Sequence, residues 1–347
     1  IIVNATTIVV ISTPSVVLAL PREVTVTTPM GVSNVGFYTY VAEAPVIFDT
    51  GSLLGVPAPG CLAFGPDSKL YVGTIQGSVY KITLNDDGSV ADVVVSTIVA
   101  ATETTQFRSI LGIAFDPTED LDPPTVYVAH SGIFHKSPEA FRGLGINGKI
   151  SALTGANMDT KVDVITGLPV SDHDHAINNI NFDDSGDLWI QIGGNTNAGV
   201  PGSLSSTGLQ DENMLSAATL IARMSKSDFD GNIQYDSSGQ MLPNADIEIF
   251  ATGQRNPYDL VFHSNGKIYA TDNGPNTGFG GKSTGCSSSG LEPAFPDKIN
   301  ILESGRYFGH PNRARGECVF YSGMEDDGPY TAPIVELPSS SNGIMEF

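Results

Sequence analysis

One unit recurs along this chain and restricts its fold more than any other feature. It is an apolar residue, a spacer and Phe, then a turn of Asp, Asn, Gly or Pro, then an alternating strand that carries an aromatic. The first copy runs from Leu62-Ala63-Phe64 through Gly65-Pro66-Asp67 to Leu70-Tyr71-Val72. The second joins Ile113-Ala114-Phe115 to Tyr127, the third Ile180-Asn181-Phe182 to Trp189, and the fourth Leu260-Val261-Phe262 to Tyr269. A fifth begins at Gly343-Ile344-Met345-Glu346-Phe347. Period-2 alternation across a Gly/Asp/Asn turn specifies a β-hairpin. A β-sandwich accounts for hairpins but not for the recurrence of one Phe-turn-aromatic unit. Four-stranded sheets repeated around an axis account for both, so the sequence predicts an all-β chain built as a β-propeller. The intervals between copies lengthen, so the connecting loops grow along the chain.

Residues 1–50 lack this unit. They are rich in Thr and Val, punctuated by Pro14, Pro21 and Pro29, and read as short strands. They are expected to be a closing element or the end of a preceding domain, with residues 51–347 forming the propeller. Residues 1–20, apolar but interrupted by Asn, Thr, Ser and Pro, are expected to form strands rather than a basic-headed leader or a membrane span. Asn4-Ala5-Thr6 is a glycosylation sequon.

The net charge of −21, from 38 acidic and 17 basic residues, repels phosphate backbones. Nucleic acid is therefore not an expected partner, whereas a divalent cation such as Ca²⁺ suits this surface. Three cysteines match no zinc spacing. Cys286 and Cys318 flank a turn-rich region and are candidates to pair in an extracellular protein, the expected location. Cys61, in the run Cys61-Leu62-Ala63-Phe64, is expected to be a small buried thiol.

The residues with chemical potential fall in a few turns. Asp172-His173-Asp174-His175 has His-x-His spacing, and side chains at i and i+2 of a strand face one way. The pair is open to three readings: a hydrogen-bonded turn, a catalytic base, or a metal site. Arg255-Asn256-Pro257 offers a guanidinium fork that pairs with carboxylates or quinone oxygens, or caps strand carbonyls. Asn273-Gly274-Pro275-Asn276 is a turn whose carbonyls suit Ca²⁺. Asp228-Phe229-Asp230-Gly231-Asn232 reads as a hairpin turn. Asp211–Met224 is the one stretch of good helix formers, read either as a short helix or as a loop running into a strand at 218–224.

Together, Ile110-Leu111-Gly112-Ile113-Ala114-Phe115-Asp116-Pro117, Asp174-His175, Gly253-Gln254-Arg255-Asn256-Pro257, Asn273-Gly274-Pro275-Asn276, Asp297-Lys298-Ile299-Asn300 and Tyr307-Phe308-Gly309-His310-Pro311 resemble the glucose/sorbosone dehydrogenase family. The resemblance covers roughly residues 60–347. It implies a six-bladed propeller, of which this chain covers about four to five blades and is C-terminally incomplete. It also implies pyrroloquinoline quinone (PQQ) and Ca²⁺ as cofactors and a sugar or glycan as substrate. On this resemblance His175 is the catalytic base and Asp174 the acid that orients it. Arg255, with Asn256 and His175, contacts quinone and sugar. The Gly274 and Pro275 carbonyls hold the Ca²⁺, with Asp297 beside them.

Two departures stand out. Phe107 or Arg108 falls where the enzymes place a polar Gln, and the insert 277–296 separates the calcium-type turn from Asp297, predicting a changed loop. Two functions follow: extracellular PQQ-dependent oxidation of sugar hydroxyls, or a non-catalytic propeller, like the related Hedgehog-interacting proteins, that binds other extracellular protein chains.

Overall fold

The computed structural model describes residues 55–102, 108–120, 122–132, 146–171, 175–202 and 210–321, together with the backbones of short strands at both ends. Asn4, Phe107, His173, Asp174 and residues 343–347 lie outside the described residues. The chain divides into two units, Ile1–Gly51 and Ser52–Phe347. In the first, Ile2–Val3 pairs with Ile8–Val9, and Thr27–Thr28 with Gly31–Val32 inside the pairing of Arg22–Val24 with Gly36–Tyr38.

The second unit holds four antiparallel four-stranded sheets, each a meander in chain order. Blade 1 comprises Pro59–Phe64, Leu70–Thr74, Val79–Leu84 and Val90–Ser96. Blade 2 comprises Ser109–Ala114, Val126–Ser131, Gly148–Thr154 and Thr160–Leu168. Blade 3 comprises Ile177–Phe182, Leu188–Ile192, Ala218–Ala222 and Ile247–Thr252. Blade 4 comprises Pro257–Phe262, Ile268–Asp272, Lys298–Leu302 and Val335–Glu336. The first strands pack side by side in order, as the inner strands of a propeller do. Each first strand shifts register against its second strand near its beginning, at Pro59/Cys61, Ile110/Gly112, Ile177/Ile180 and Pro257/Leu260. A bulge of this kind bends the inner edge.

The repeated unit has a physical purpose. The aromatic of one blade's second strand meets the Phe of the next blade edge-on: Tyr71 with Phe115 at 4.9 Å, Tyr127 with Phe182 at 4.9 Å, and Trp189 with Phe262 at 5.3 Å. Such pairs contribute about 0.5–1.5 kcal/mol beyond area burial. The polar tip of each aromatic is held near its own hairpin turn: Tyr71 Oη donates to Asp67, Tyr127 Oη to Glu119, and Trp189 Nε1 to Asp183. Turn and interlock are thus set by one unit. The second strands of blades 1 to 3 are buried along their length, each packed against the first strand of the next blade, whereas that of blade 4, Ile268–Asp272, is only partly buried. The largest core runs between blades 2 and 3, through Ile150, Ile165, Leu168, Ile177, Ile190 and Leu220.

Several local expectations are settled here. Asp211–Met224 resolves as a turn followed by a strand at Ala218–Ala222, because pairing with Leu188–Ile192 and Ile247–Thr252 on either side outweighs helix propensity. The one described α-helix, Ile98–Thr102, lies instead in the connection between blades 1 and 2. Cys286 and Cys318 are bridged. Cys61 is half-buried rather than buried, its Sγ 3.8 Å from the Ile110 carbonyl. No helix among the described residues is long and apolar enough to cross a membrane.

Candidate active site

In an antiparallel pair, the start of the first strand lies beside the end of the second. Ile177 pairs with Ile192 in blade 3, and Pro257 with Asp272 in blade 4. The segments just outside those pairs are 175–176 with 193–197, and 255–256 with 273–276. Blade geometry therefore brings four sequence-distant turns to one end of two adjacent blades.

His175 is 0% and Arg255 2% exposed. His175 Nδ1 lies 2.7 Å from the Gly194 carbonyl, and its backbone N–H donates to Ser171 Oγ at 2.9 Å. A carbonyl only accepts, so Nδ1 carries a proton directed at Gly194, and Nε2 is the other ring nitrogen. Gly194 N–H donates to the Arg255 carbonyl at 2.7 Å, and Arg255 Nε donates to the Asn197 carbonyl at 3.2 Å. Asn256 accepts from Asn178 Nδ2 at 2.7 Å through Oδ1, and its N–H donates to Asp272 Oδ1 at 2.9 Å. Burial raises the Asp272 carboxyl above its ordinary value, against the opposing charge of Lys298 and the Asn256 N–H.

Glycine is required where these segments touch. A Cβ on Gly193 falls 2.6 Å from Asn256 Oδ1 and 2.8 Å from His175 Cβ, and one on Gly194 falls 2.9 Å from His310 Nε2.

The turn 273–276 is tied to the same group. Asn197 accepts from Asn276 N–H at 3.0 Å and donates through Nδ2 to the Asn276 carbonyl at 2.9 Å. Asp297 Oδ1 accepts from Gly274 N–H at 2.9 Å. The insert therefore does not part the turn from Asp297 in space. It loops out and returns, so that Phe295 donates to the Pro275 carbonyl at 3.1 Å and a Cβ on Gly274 falls 2.2 Å from the Phe295 carbonyl. Its hairpin, Ser283–Gly285 with Ser288–Ser289, is linked to the segment after His310 by the disulfide. The Gly274 and Pro275 carbonyls and the Asp297 carboxylate are oxygen donors of the kind a hard cation takes; Asp297 meets the Gly274 N–H, and the Pro275 carbonyl accepts from Phe295. Among the described residues no group of three or more His, Cys, Asp or Glu side chains forms a metal cluster.

In blade 2 the equivalent corner holds Arg108, buried beside His130. Arg108 Nε donates to His130 Nδ1 at 3.0 Å, His130 Nε2 lies 2.7 Å from Ser151 Oγ, and Ser151 donates to Asp163 at 2.7 Å. Burial first, then the Arg108 charge, hold the His130 imidazole well below its ordinary value.

Sequence reasoning missed Asn178, the Gly193–Asn197 segment, Glu212 and Asp272. The run Gly193-Gly194-Asn195-Thr196-Asn197 directly after a buried strand is the signal that points to a built turn there. Two cavities border these elements, and the smaller is lined by Asn195 and Glu212 themselves. One, about 390 Å³, is lined by residues of all four first strands, including Cys61, Leu111, Asn179 and Asp259; the other, about 340 Å³, by Asn195, Gln210 and Asn213 among others.

Comparison with known proteins agrees with this architecture. The chain is 24% identical over 282 residues to quinoprotein glucose dehydrogenase B of Acinetobacter calcoaceticus, covering 78% of this chain and 52% of that protein. The chain thus spans about half the length of that curated relative. The fold is similar to the PQQ-bound aldose sugar dehydrogenase of Streptomyces coelicolor, with a TM-score of 0.52, 16% identity, and coverage of 82% of this chain and 69% of that one. It is also similar to an oxidoreductase of Thermus thermophilus described as a glucose dehydrogenase, with a TM-score of 0.51, 20% identity, and coverage of 82% and 71%. The model of the family described as Glucose / Sorbosone dehydrogenase matches residues 56–339. The chain belongs to the glucose/sorbosone dehydrogenase family.

Proposed function

We propose that this protein oxidises a sugar hydroxyl with PQQ as cofactor and Ca²⁺ as its metal, outside the cell. The observation that carries the reading is the shared attachment of His175 and Arg255 to Gly194. The residues suit both groups. A guanidinium, an imidazole and the Asn256 amide lie at one end of blades 3 and 4 for a carboxylate- and carbonyl-bearing quinone. The Gly274 and Pro275 carbonyls with Asp297 suit the cation. When bound, PQQ supplies the acceptor for the hydride that leaves the sugar carbon. His175 Nε2 takes the hydroxyl proton, with Nδ1–H held on Gly194. Asp174 has the orienting role on the same reading. Arg255 stabilises negative charge that develops on oxygen, in a site from which water is largely excluded.

The disulfide and the acidic surface support an extracellular setting. Residues 51–347 are read as the propeller and 1–50 as a closing element or the end of a preceding domain. The test is dye-coupled oxidation of aldoses by full-length protein reconstituted with PQQ and Ca²⁺. Turnover supports the reading, and its absence with both groups supplied sinks it. A non-catalytic binding module is the second reading, favoured by the complete burial of His175. PQQ affinity in the micromolar range or tighter would count against that alternative.

A further inference from the structure

Glu212 belongs to none of the motifs that carry the family resemblance, yet it is buried beside the site. Among the described residues its carboxylate accepts five hydrogen bonds. Oε2 receives Asn195 N–H at 2.8 Å and Ser216 Oγ at 2.5 Å. Oε1 receives Thr196 N–H at 2.9 Å, Thr196 Oγ1 at 2.5 Å and His310 Nε2 at 2.9 Å. Burial alone would raise this carboxyl. The bonds and charge from His310, with the Ser216 and Thr196 hydroxyls, outweigh burial and hold it at about 2.

The two backbone N–H groups it binds, at 195 and 196, sit between residues with definite tasks. Gly194 holds His175 Nδ1 and the Arg255 carbonyl. Asn197 holds Arg255 Nε and both backbone groups of Asn276. Glu212 thus fixes the middle of a five-residue segment whose flanks orient the candidate base, the candidate cation and the oxygen-rich turn. The carboxylate has no isosteric substitute. Each oxygen faces a backbone N–H, which cannot rotate away. The NH₂ of a glutamine therefore opposes an N–H donor in either orientation.

We propose that Glu212, braced by His310, is the positioning residue that sets the geometry of His175 and Arg255, an inference that rests on the reading of those two as reacting-site groups. The tests are ¹H–¹⁵N spectra of histidine-labelled full-length protein, with the His175 resonances assigned by His175→Gln, and steady-state kinetics. In wild type the His175 Nδ1–H is a slowly exchanging donor to Gly194. In Glu212→Gln its exchange is expected to quicken at least ~10-fold, with kcat falling roughly 10–100-fold and KM changed less than about 3-fold. An unchanged His175 resonance overturns the proposal whatever happens to turnover. Should Glu212→Gln fail to fold, Thr196→Val removes one donor from the same carboxylate and is expected to quicken exchange by about 3-fold; wild-type exchange there overturns it equally. A shifted His175 resonance in a protein that oxidises no sugar upholds the positioning and sinks the functional reading instead.

Discussion

His175 and Arg255 meet on the two backbone polar groups of a single residue: Gly194 accepts from His175 Nδ1 and donates to the Arg255 carbonyl, each at 2.7 Å. The candidate base comes from the start of blade 3 and the candidate cation from the start of blade 4. One peptide segment therefore transmits any change in inter-blade packing to both. Gly194→Ala would place a methyl 2.9 Å from His310 Nε2 and 3.1 Å from Glu212 Oε1. The segment must shift to admit it, and a displacement of about 1 Å costs on the order of 100-fold in rate. Dye-coupled turnover of Gly194→Ala beside wild type checks this. Wild-type turnover would mean that Gly194 does not set the geometry.

Two buried carboxyls make opposite contributions to pH-dependent stability. Glu212 is held at about 2 against an ordinary 4.5, so its stabilisation is present above pH 4.5 and is lost as pH falls toward 2. The magnitude is on the order of 3 kcal/mol. Asp272 is raised, so its protonated form is favoured in the fold and its contribution is lost as pH rises through the folded value. Urea unfolding from pH 2 to 8 should show a steep acid limb in wild type that is shallower in Glu212→Gln, the remainder coming from other carboxylates held low by their partners, such as Asp163 and Asp187. Asp272→Asn, which keeps an acceptor for the Asn256 N–H, should gain relative stability as pH rises. A wild-type acid limb in Glu212→Gln would contradict the first assignment.

The aromatic interlock predicts that one substitution has two different costs. Phe182 packs edge-on against Tyr127, whereas Phe64, in blade 1, is 64% exposed. Phe182→Ala should cost about 2–3 kcal/mol, and Phe64→Ala less than about 1 kcal/mol. Denaturant midpoints at constant m-value measure both. Equal costs would show that the repeated Phe is not an inter-blade element.

The repeat is legible in the sequence because one physical unit, turn plus interlock, recurs with the same residue types. Phe64, Phe115, Phe182 and Phe262, with Tyr71, Tyr127, Trp189 and Tyr269, mark the first two strands of all four blades. The outer strands are harder to read, because their exposed faces carry mixed polar residues, as in Thr160–Leu168. In the site, His175, Arg255, Asn256, Gly274, Pro275 and Asp297 stand out by motif resemblance. Glu212 and Asp272 do not, because their importance lies in backbone N–H groups far along the chain. Asp272 also looks like any residue at the end of a strand. The insert misleads for a related reason: twenty residues of sequence say nothing about whether a loop returns to its starting point, and Phe295 brings this one back onto Gly274.

The disulfide closes a loop with a sequence separation of 32 residues and ties the insert to the segment after His310. Restricting a loop of that size in the unfolded chain contributes about 3–4 kcal/mol. The Cys286→Ser/Cys318→Ser variant should lose that much stability and become open to proteolysis within 278–292. Wild-type protease resistance would show that the insert is held by its hydrogen bonds alone, including those of Glu292 to Gly278 and Gly280.

The most direct test of the account compares wild type with His175→Gln in full-length protein titrated with PQQ and Ca²⁺. PQQ binding is followed by absorbance and turnover by aldose-dependent dye reduction. The account predicts that wild type binds PQQ and turns over. His175→Gln should bind PQQ within a few-fold of wild type and lose roughly 10²–10⁴-fold in kcat. Turnover in His175→Gln equal to that of wild type would contradict the assignment of the base, and failure of wild type to bind PQQ at all would contradict the account as a whole.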